Sequence, residues 1–293
     1  MNLNHKKVSL FVIGASKCGT TSFYHVLKQH PDICMSKKKE TNYFALPQSK
    51  QNKINYDSYF NYCYKKMILG EVSPIYSELS IVPWVPKEIC NYNPKAKIIY
   101  LIRNPLERLK SVWKQTLHSG HWYKQKYKTT INLSVPKMRL NLEHAIFNYP
   151  PFLDSCKYWQ ILNSYRKFFP DQQIKVVFFE DLIKKPYLIY NDFFEFLNLK
   201  KINIENLKLH HNLSRGKLML NPSSKLLFLA KIQKIVSFFP NSKIKEWYFD
   251  EIFQPIPQEV IIDNSLQRRI IDQLKDDIKK IYLYTNRNNF WQL

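Results

Sequence analysis

Gly14 and Gly19 enclose four residues and are followed at once by Thr20, Thr21 and Ser22, a spacing whose chemistry is anion capture. Glycines let the backbone approach a phosphate, and successive loop N–H groups converge on it together with the positive end of the helix that follows. A nucleotide triphosphatase places a lysine directly after the second glycine. Here Thr20 stands there, and the only cation of the loop is Lys17, inside it, a displacement that points away from ATP hydrolysis while keeping the cradle. The chain has five glycines, Gly14, Gly19, Gly70, Gly120 and Gly216, and two of them fall in this loop. The plainer alternative is a strand-to-helix turn capped by Thr20 or Ser22.

A second anion site is readable where the apolar run KIIYLI (Lys97–Ile102) meets Arg103-Asn104-Pro105-Leu106-Glu107-Arg108 and a helix bearing Ser111. A P-loop NTPase often carries a magnesium-binding carboxylate at such a strand end. An arginine with a hydroxyl two helical turns on instead suits a phosphate held without metal, although a solvent-facing or carboxylate-paired arginine reads the same way in isolation.

These residues need elements to hold them. The apolar run opening at Phe11 predicts a strand running into the glycine loop, and Met67–Leu69, Lys97–Ile102 and Ile174–Phe179 predict further buried strands, because continuous β-branched and aromatic runs suit a parallel sheet covered on both faces. Helices are expected over Asn104–Leu117, Arg139–Phe147, Asp154–Phe169, Tyr187–Leu197, the segment from Leu226, and Leu266–Tyr284. The sum is an α/β fold with a central parallel sheet flanked by helices on both faces, whose ligands sit beyond the carboxyl ends of the strands. With no linker-like stretch, repeat or low-complexity tract, residues 1–293 are expected to form one domain. The tyrosine- and lysine-rich segments Ser49–Lys66 and Lys124–Lys137 are expected to be surface excursions shaping a cleft.

The formal net charge of +22 implies a positive surface and anionic partners: a nucleotide, an acidic polymer or a membrane surface. The five cysteines, Cys18, Cys34, Cys63, Cys90 and Cys156, are scattered without C-x-x-C spacing, so neither a disulfide framework nor a zinc site is expected, and a reducing compartment fits best. The N-terminal apolar run ends in the glycine loop rather than at a cleavage site and reads as a core strand. Leu226–Phe239, broken by Lys231, Lys234 and Ser237, is too short to span a bilayer and reads as an amphipathic helix. No transmembrane segment is expected, and the location is expected to be cytoplasmic or membrane-peripheral.

In order and spacing, these motifs resemble those of the sulfotransferases that use 3′-phosphoadenosine 5′-phosphosulfate (PAPS). Ser16-Lys17-Cys18-Gly19-Thr20-Thr21-Ser22 is similar to their 5′-phosphosulfate loop, and Arg103-Asn104-Pro105 through Ser111 to their 3′-phosphate motif. Phe178–Leu199 resembles the strand-EDL-helix segment of the family, Asn212–Lys217 (NLSRGK) its late basic loop, and Leu274–Trp291 its C-terminal helix and tryptophan. The resemblance spans essentially the whole chain. It implies that Lys17 contacts the bridging and sulfuryl oxygens, that the amides of Cys18, Gly19, Thr20, Thr21 and Ser22 cradle the 5′-phosphate, and that Arg103 and Ser111 grip the 3′-phosphate, with Arg215, Gly216 and Lys217 closing over it. His210 and His211 are read as structural or surface histidines.

On the acceptor side, Lys37–Phe44 (KKKETNYF) resembles the motif of the glycan-modifying branch, in which a glutamate precedes two aromatics. It implies Glu40 as general base, able to take the acceptor proton as the S–O bond forms. The surrounding Lys37, Lys38 and Lys39 favour its ionised form. Gly70–Tyr76 resembles the E-K-[ST]-x-x-Y segment lining the acceptor site, with Val72 in place of the lysine, so a heparan-type acceptor does not follow from it. Lys39, Asn42, Glu71 and Tyr76 are implied as acceptor contacts, Glu71 also as a secondary acid/base. The implied reaction is sulfuryl transfer from PAPS, leaving 3′,5′-ADP (PAP), to a hydroxyl or amine, preferably of a carbohydrate, without metal and without nucleic acid. Two other readings stay open: a P-loop NTPase or kinase using Glu180 and Asp181 to hold magnesium, and a basic nucleic-acid-binding module.

Overall fold

A computed structural model describes residues 7–63, 68–119, 141–203, 218–220, 253–255 and 259–293. Five strands form one parallel sheet: β1 (Leu10–Gly14), β2 (Ile33–Met35), β3 (Ile68–Val72), β4 (Lys97–Ile102) and β5 (Ile174–Phe178), in the order β2-β3-β1-β4-β5. β1 is central and buried along its whole length. It pairs with β3 from Leu10 opposite Gly70 and with β4 from Leu10 opposite Lys97. Such two-sided burial is why these strands read as unbroken apolar runs rather than alternating ones.

The connection leaving β1 travels toward one edge of the sheet and that leaving β4 toward the other, so right-handed crossovers place their helices on opposite faces. One face carries α1 (Thr20–Leu27), whose Phe23 stacks on Tyr190 and meets Phe193 edge-on. Helices α2 (Gln48–Gln51), α3 (Val85–Tyr92), the longer α4 (Pro105–Ser119), α5 (Leu142–Asn148) and α6 (Pro150–Asp154) follow in the chain, and then α7 (Tyr158–Arg166). After β5 come α8 (Phe179–Lys184) and α9 (Pro186–Phe196), which supplies the aromatic partners of Phe23. A two-stranded antiparallel ribbon, β6 (Leu218–Leu220) with β7 (Phe253–Pro255), precedes the last helix, α10 (Asn264–Tyr284). Asp263 caps α10 through Leu266 N, and Asp277 on α10 accepts both Trp159 N and Gln160 N, satisfying the amides that open α7.

Several expectations change. The strand Ile33–Met35 was not foreseen, because three residues are too few to show periodicity. The helix expected over Asp154–Phe169 is the shorter α7, Tyr158–Arg166, and Asp154 instead ends the preceding helix α6. Phe179 begins α8 instead of ending β5. Over the described part of the Ser49–Lys66 excursion most residues are exposed, as expected, but Gln51, Tyr56 and Phe60 are buried and Tyr56 stacks on Tyr43, so these three anchor the segment to the core. Cys34 and Cys63 form a disulfide, their Cα atoms 5.8 Å apart. Disulfides persist in oxidising surroundings, so the bond corrects the expectation of unpaired cysteines and removes the ground for a reducing compartment. Among the described residues no helix is long and apolar enough to cross a membrane. The segments 124–137 and 226–239 lie outside the described residues.

Candidate active site

The carboxyl ends of β1, β3 and β4 lie side by side, and the singled-out residues leave from them. β1 ends in the glycine loop. Gly14 has φ 146°, and a Cβ there would lie 2.2 Å from Ser77 Oγ. Gly19, at φ 82°, is the N-cap of α1, and a Cβ there would come within 2.8 Å of the Phe179 ring. Both positions therefore demand glycine for conformation and for space. The N-cap of α1 is Gly19, and among the described residues no side chain caps the helix and no acid sits in its first turn, so neither Thr20 nor Ser22 is its N-cap. Cys18 N donates to Ala15 O at 3.3 Å, so that amide is engaged within the loop itself, which corrects the expectation that it faces an anion. Burial pushes the Cys18 thiol up to about 12, making it an inert packing group.

At the end of β4 the RNP sequence divides its labour. The Asn104 side chain accepts from Leu106 N and Glu107 N, and Pro105 occupies the first helical position of α4, both favourable for a helix start. Arg103 is thereby left on the rim of the loop, where Nη1 reaches Lys17 O at 3.4 Å, the guanidinium lies 4.9 Å from the Phe179 ring centre, and Nη2 pairs loosely with Glu107 at 3.7 Å. Glu107 and Ser111 follow at four-residue steps, so both lie on the helix face beside Arg103. Phe179, absent from the expected site, supports Gly19 and Arg103 together. Its signal in the sequence, an aromatic directly before Glu180-Asp181-Leu182, reads only as a strand end.

On the other flank, the chain from Ser36 to Phe44 is laced to the end of β3. Glu40 N donates to Val72 O at 3.0 Å, Asn42 N to Ser73 Oγ at 3.1 Å, and Phe44 N to the Tyr76 hydroxyl at 3.2 Å. The Thr41 hydroxyl donates to Glu71 Oε2. Glu40 and Asn42 hold left-handed backbone, at φ 60° and 56°. Of the expected acceptor contacts, Lys39 and Glu40 reach the surface, joined at 2.7 Å. Asn42, Glu71 and Tyr76 are buried, which corrects their reading as cleft-lining groups: they sit beneath the Glu40 turn. Glu71 Oε1 and the Tyr56 hydroxyl, both buried, lack a bond of ordinary geometry.

Burial pushes the Glu71 carboxyl up to about 7, against the hydrogen bonds of its hydroxyl neighbours. An acid whose folded pKa is raised from 4.5 contributes stability that is complete below about 4.5 and is lost as pH rises through about 7. Glu71→Gln is therefore expected to flatten the fall in melting temperature across that window. An unchanged pH dependence would show that Glu71 is ionised in the folded state throughout.

Glu180 and Asp181 are already engaged. Glu180 accepts from Asn104 N at 2.8 Å and from Trp291 Nε1 at 3.2 Å, and Asp181 pairs with Arg287 at 2.6 Å. Their role is to fasten α8 to β4 and to the C-terminal segment, which disfavours a magnesium site there. His210, His211, Arg215, Gly216 and Lys217 lie outside the described residues.

A family model described as "Sulfotransferase domain" matches residues 7–280. Heparan sulfate glucosamine 3-O-sulfotransferase 5 of Mus musculus and of Homo sapiens are each 27% identical over 206 residues, 70% of this chain and 57% of theirs. The chain thus spans little more than half the length of these relatives. A sulfotransferase structure from Alicyclobacillus acidocaldarius superposes with a TM-score of 0.58 at 18% identity, covering 97% of each chain, a likeness of fold.

Proposed function

The chain belongs to the sulfotransferase family, and from that premise we propose that it moves a sulfuryl group from PAPS to a hydroxyl or amine of an acceptor, with a carbohydrate as the preferred class. The observation that carries the reading is the glycine loop with Lys17 inside it, opening onto a helix start capped by Gly19, beside Arg103. Such a loop binds a phosphate through backbone N–H groups, and the second cation, one strand away, suits a donor with two separate phosphates.

In the proposed reaction the acceptor oxygen or nitrogen attacks sulfur in line, the bond from sulfur to the 5′-phosphate oxygen breaks, and PAP departs with that electron pair. Lys17 and the amides of Gly19 to Ser22 stabilise the charge growing on the departing phosphate. Arg103 and Ser111 hold the 3′-phosphate, drawing Arg103 from its loose pairing with exposed Glu107. Glu40 takes the acceptor proton, and its lacing to β3 fixes its place before the acceptor arrives. Support for a glycan comes from the Glu40 motif, from the relatives named for a heparan sulfate substrate, and from the net charge of +22, which would attract an already anionic oligosaccharide. None of these residues needs a metal for the roles assigned.

PAP is expected to bind in the presence of EDTA and to raise the melting temperature by mass action, with a one-site isotherm in calorimetry. Equal stabilisation by Mg-ATP, or none by PAP at several hundred micromolar, on the order of 100 times a low-micromolar Kd, would return the NTPase reading to the front. Strongly salt-dependent binding of DNA or RNA with no PAP site would favour a nucleic-acid module.

A further inference from the structure

Resting on the sulfotransferase reading, we infer that Arg108 is a positioning residue that sets the shape of the phosphate loop, locked in place by Glu78. Arg108 is fully buried, and its guanidinium joins four segments. Nε donates to Ser16 O at 2.9 Å, Nη1 to Ser155 Oγ at 2.5 Å and to Cys156 Sγ at 3.4 Å, and Nη2 to Glu78 Oε1 at 3.3 Å. Glu78 is equally buried, and its second oxygen has no partner among the described residues. Burying a guanidinium and a carboxylate together is costly, and well-packed apolar side chains commonly serve stability as well or better. Stability alone therefore does not account for the pair.

Its placement does. Arg108 and Arg103 hold consecutive carbonyls of the loop, Ser16 O and Lys17 O. Because a trans peptide is planar, its C=O and the next N–H point in opposite directions. Anchoring Ser16 O on Arg108 thus turns Lys17 N–H away from the protein interior where the guanidinium lies. It also fixes the plane from which Lys17 enters its left-handed turn at φ 67°. A lysine cannot replace this fork: one ammonium lacks the spread donors that reach Ser16, Ser155 and Glu78 at once.

The test is a set of variants read in three ways: melting temperature, hydrogen–deuterium exchange of the amides of residues 15–19, and the split between kcat and KM for PAPS. Arg108→Met alone strands the Glu78 charge and is expected to unfold readily. The double variant Arg108→Met/Glu78→Leu removes both charges and is expected to melt within about 5 °C of the native chain. Its loop exchange should rise about tenfold or more, and kcat should fall by about 10²-fold with a much smaller change in KM. Arg108→Lys, which keeps the charge, should show the same loop exchange and a partial loss of kcat, and it decides the matter if the double variant does not fold. Native loop exchange together with native kcat in whichever of these variants folds would overturn the inference. If the native chain neither binds PAP nor transfers sulfate, the sulfotransferase reading fails, while the exchange comparison still decides whether Arg108 shapes the loop.

Discussion

Lys17→Ala is expected to lower the rate of sulfuryl transfer by about 10²- to 10³-fold while leaving PAP affinity within a few-fold, because it removes charge stabilisation that grows only as the donor bond breaks. The backbone should tolerate the change with a small loss of stability: φ 67° is strained for alanine as it is for lysine, and Arg108 and Arg103 still hold the carbonyls of Ser16 and Lys17. Arg103→Ala is the contrasting variant. Its guanidinium lies over Phe179 at the rim, so its loss should appear mainly as weaker PAPS and PAP binding. Steady-state kinetics in parallel with PAP calorimetry separates the two. If both substitutions merely raise KM for PAPS by the same small factor, the division between a transition-state contact and a binding contact is wrong.

Glu40→Gln is expected to cut transfer by about 10²-fold or more at unchanged PAP affinity. Its melting temperature should stay near native, since the ion pair with Lys39 is partly exposed and such pairs contribute little. Glu71→Gln is the control. Glu71 is fully buried beneath the Glu40 turn and bonded to Thr41, so its amide should shift the pH dependence of stability and leave turnover within about tenfold. Near-normal turnover in Glu40→Gln together with collapse in Glu71→Gln would move the base role to Glu71. It would also weaken the case for a glycan acceptor, which leans on the Glu40 motif.

Much of the fold follows from local pattern. Lys97–Ile102 is a strand end to end as its run of apolar residues predicts, and Asn104-Pro105 start a helix because a capping side chain and a preset φ act within a few residues. The glycine loop is legible for the same reason, since left-handed backbone at Gly19 is a property of that residue. What was missed rests on partners distant in sequence. Phe179 reads as the tail of a strand until the fold brings Gly19 and Arg103 to its ring. The Cys34–Cys63 pairing depends on where the Tyr56 segment packs.

The sequence by itself determined the pattern on which the phosphate reading rests: two glycines and a lysine in one loop, an arginine at the next strand's end, and a carboxylate among lysines, each recognisable from residue type and spacing. Only the tertiary structure decided how the carboxylates are solvated. Glu40 and Glu71 are equivalent as letters. Solvation differs between them: one stands at the surface beside an ammonium, and the other is buried under a hydroxyl with its pKa near 7. The same holds for the two arginines of one short motif, where burial and a carboxylate partner make Arg108 a clamp and leave Arg103 on the rim. Burial and long-range pairing set these roles, and neither is written in the spacing of a linear chain.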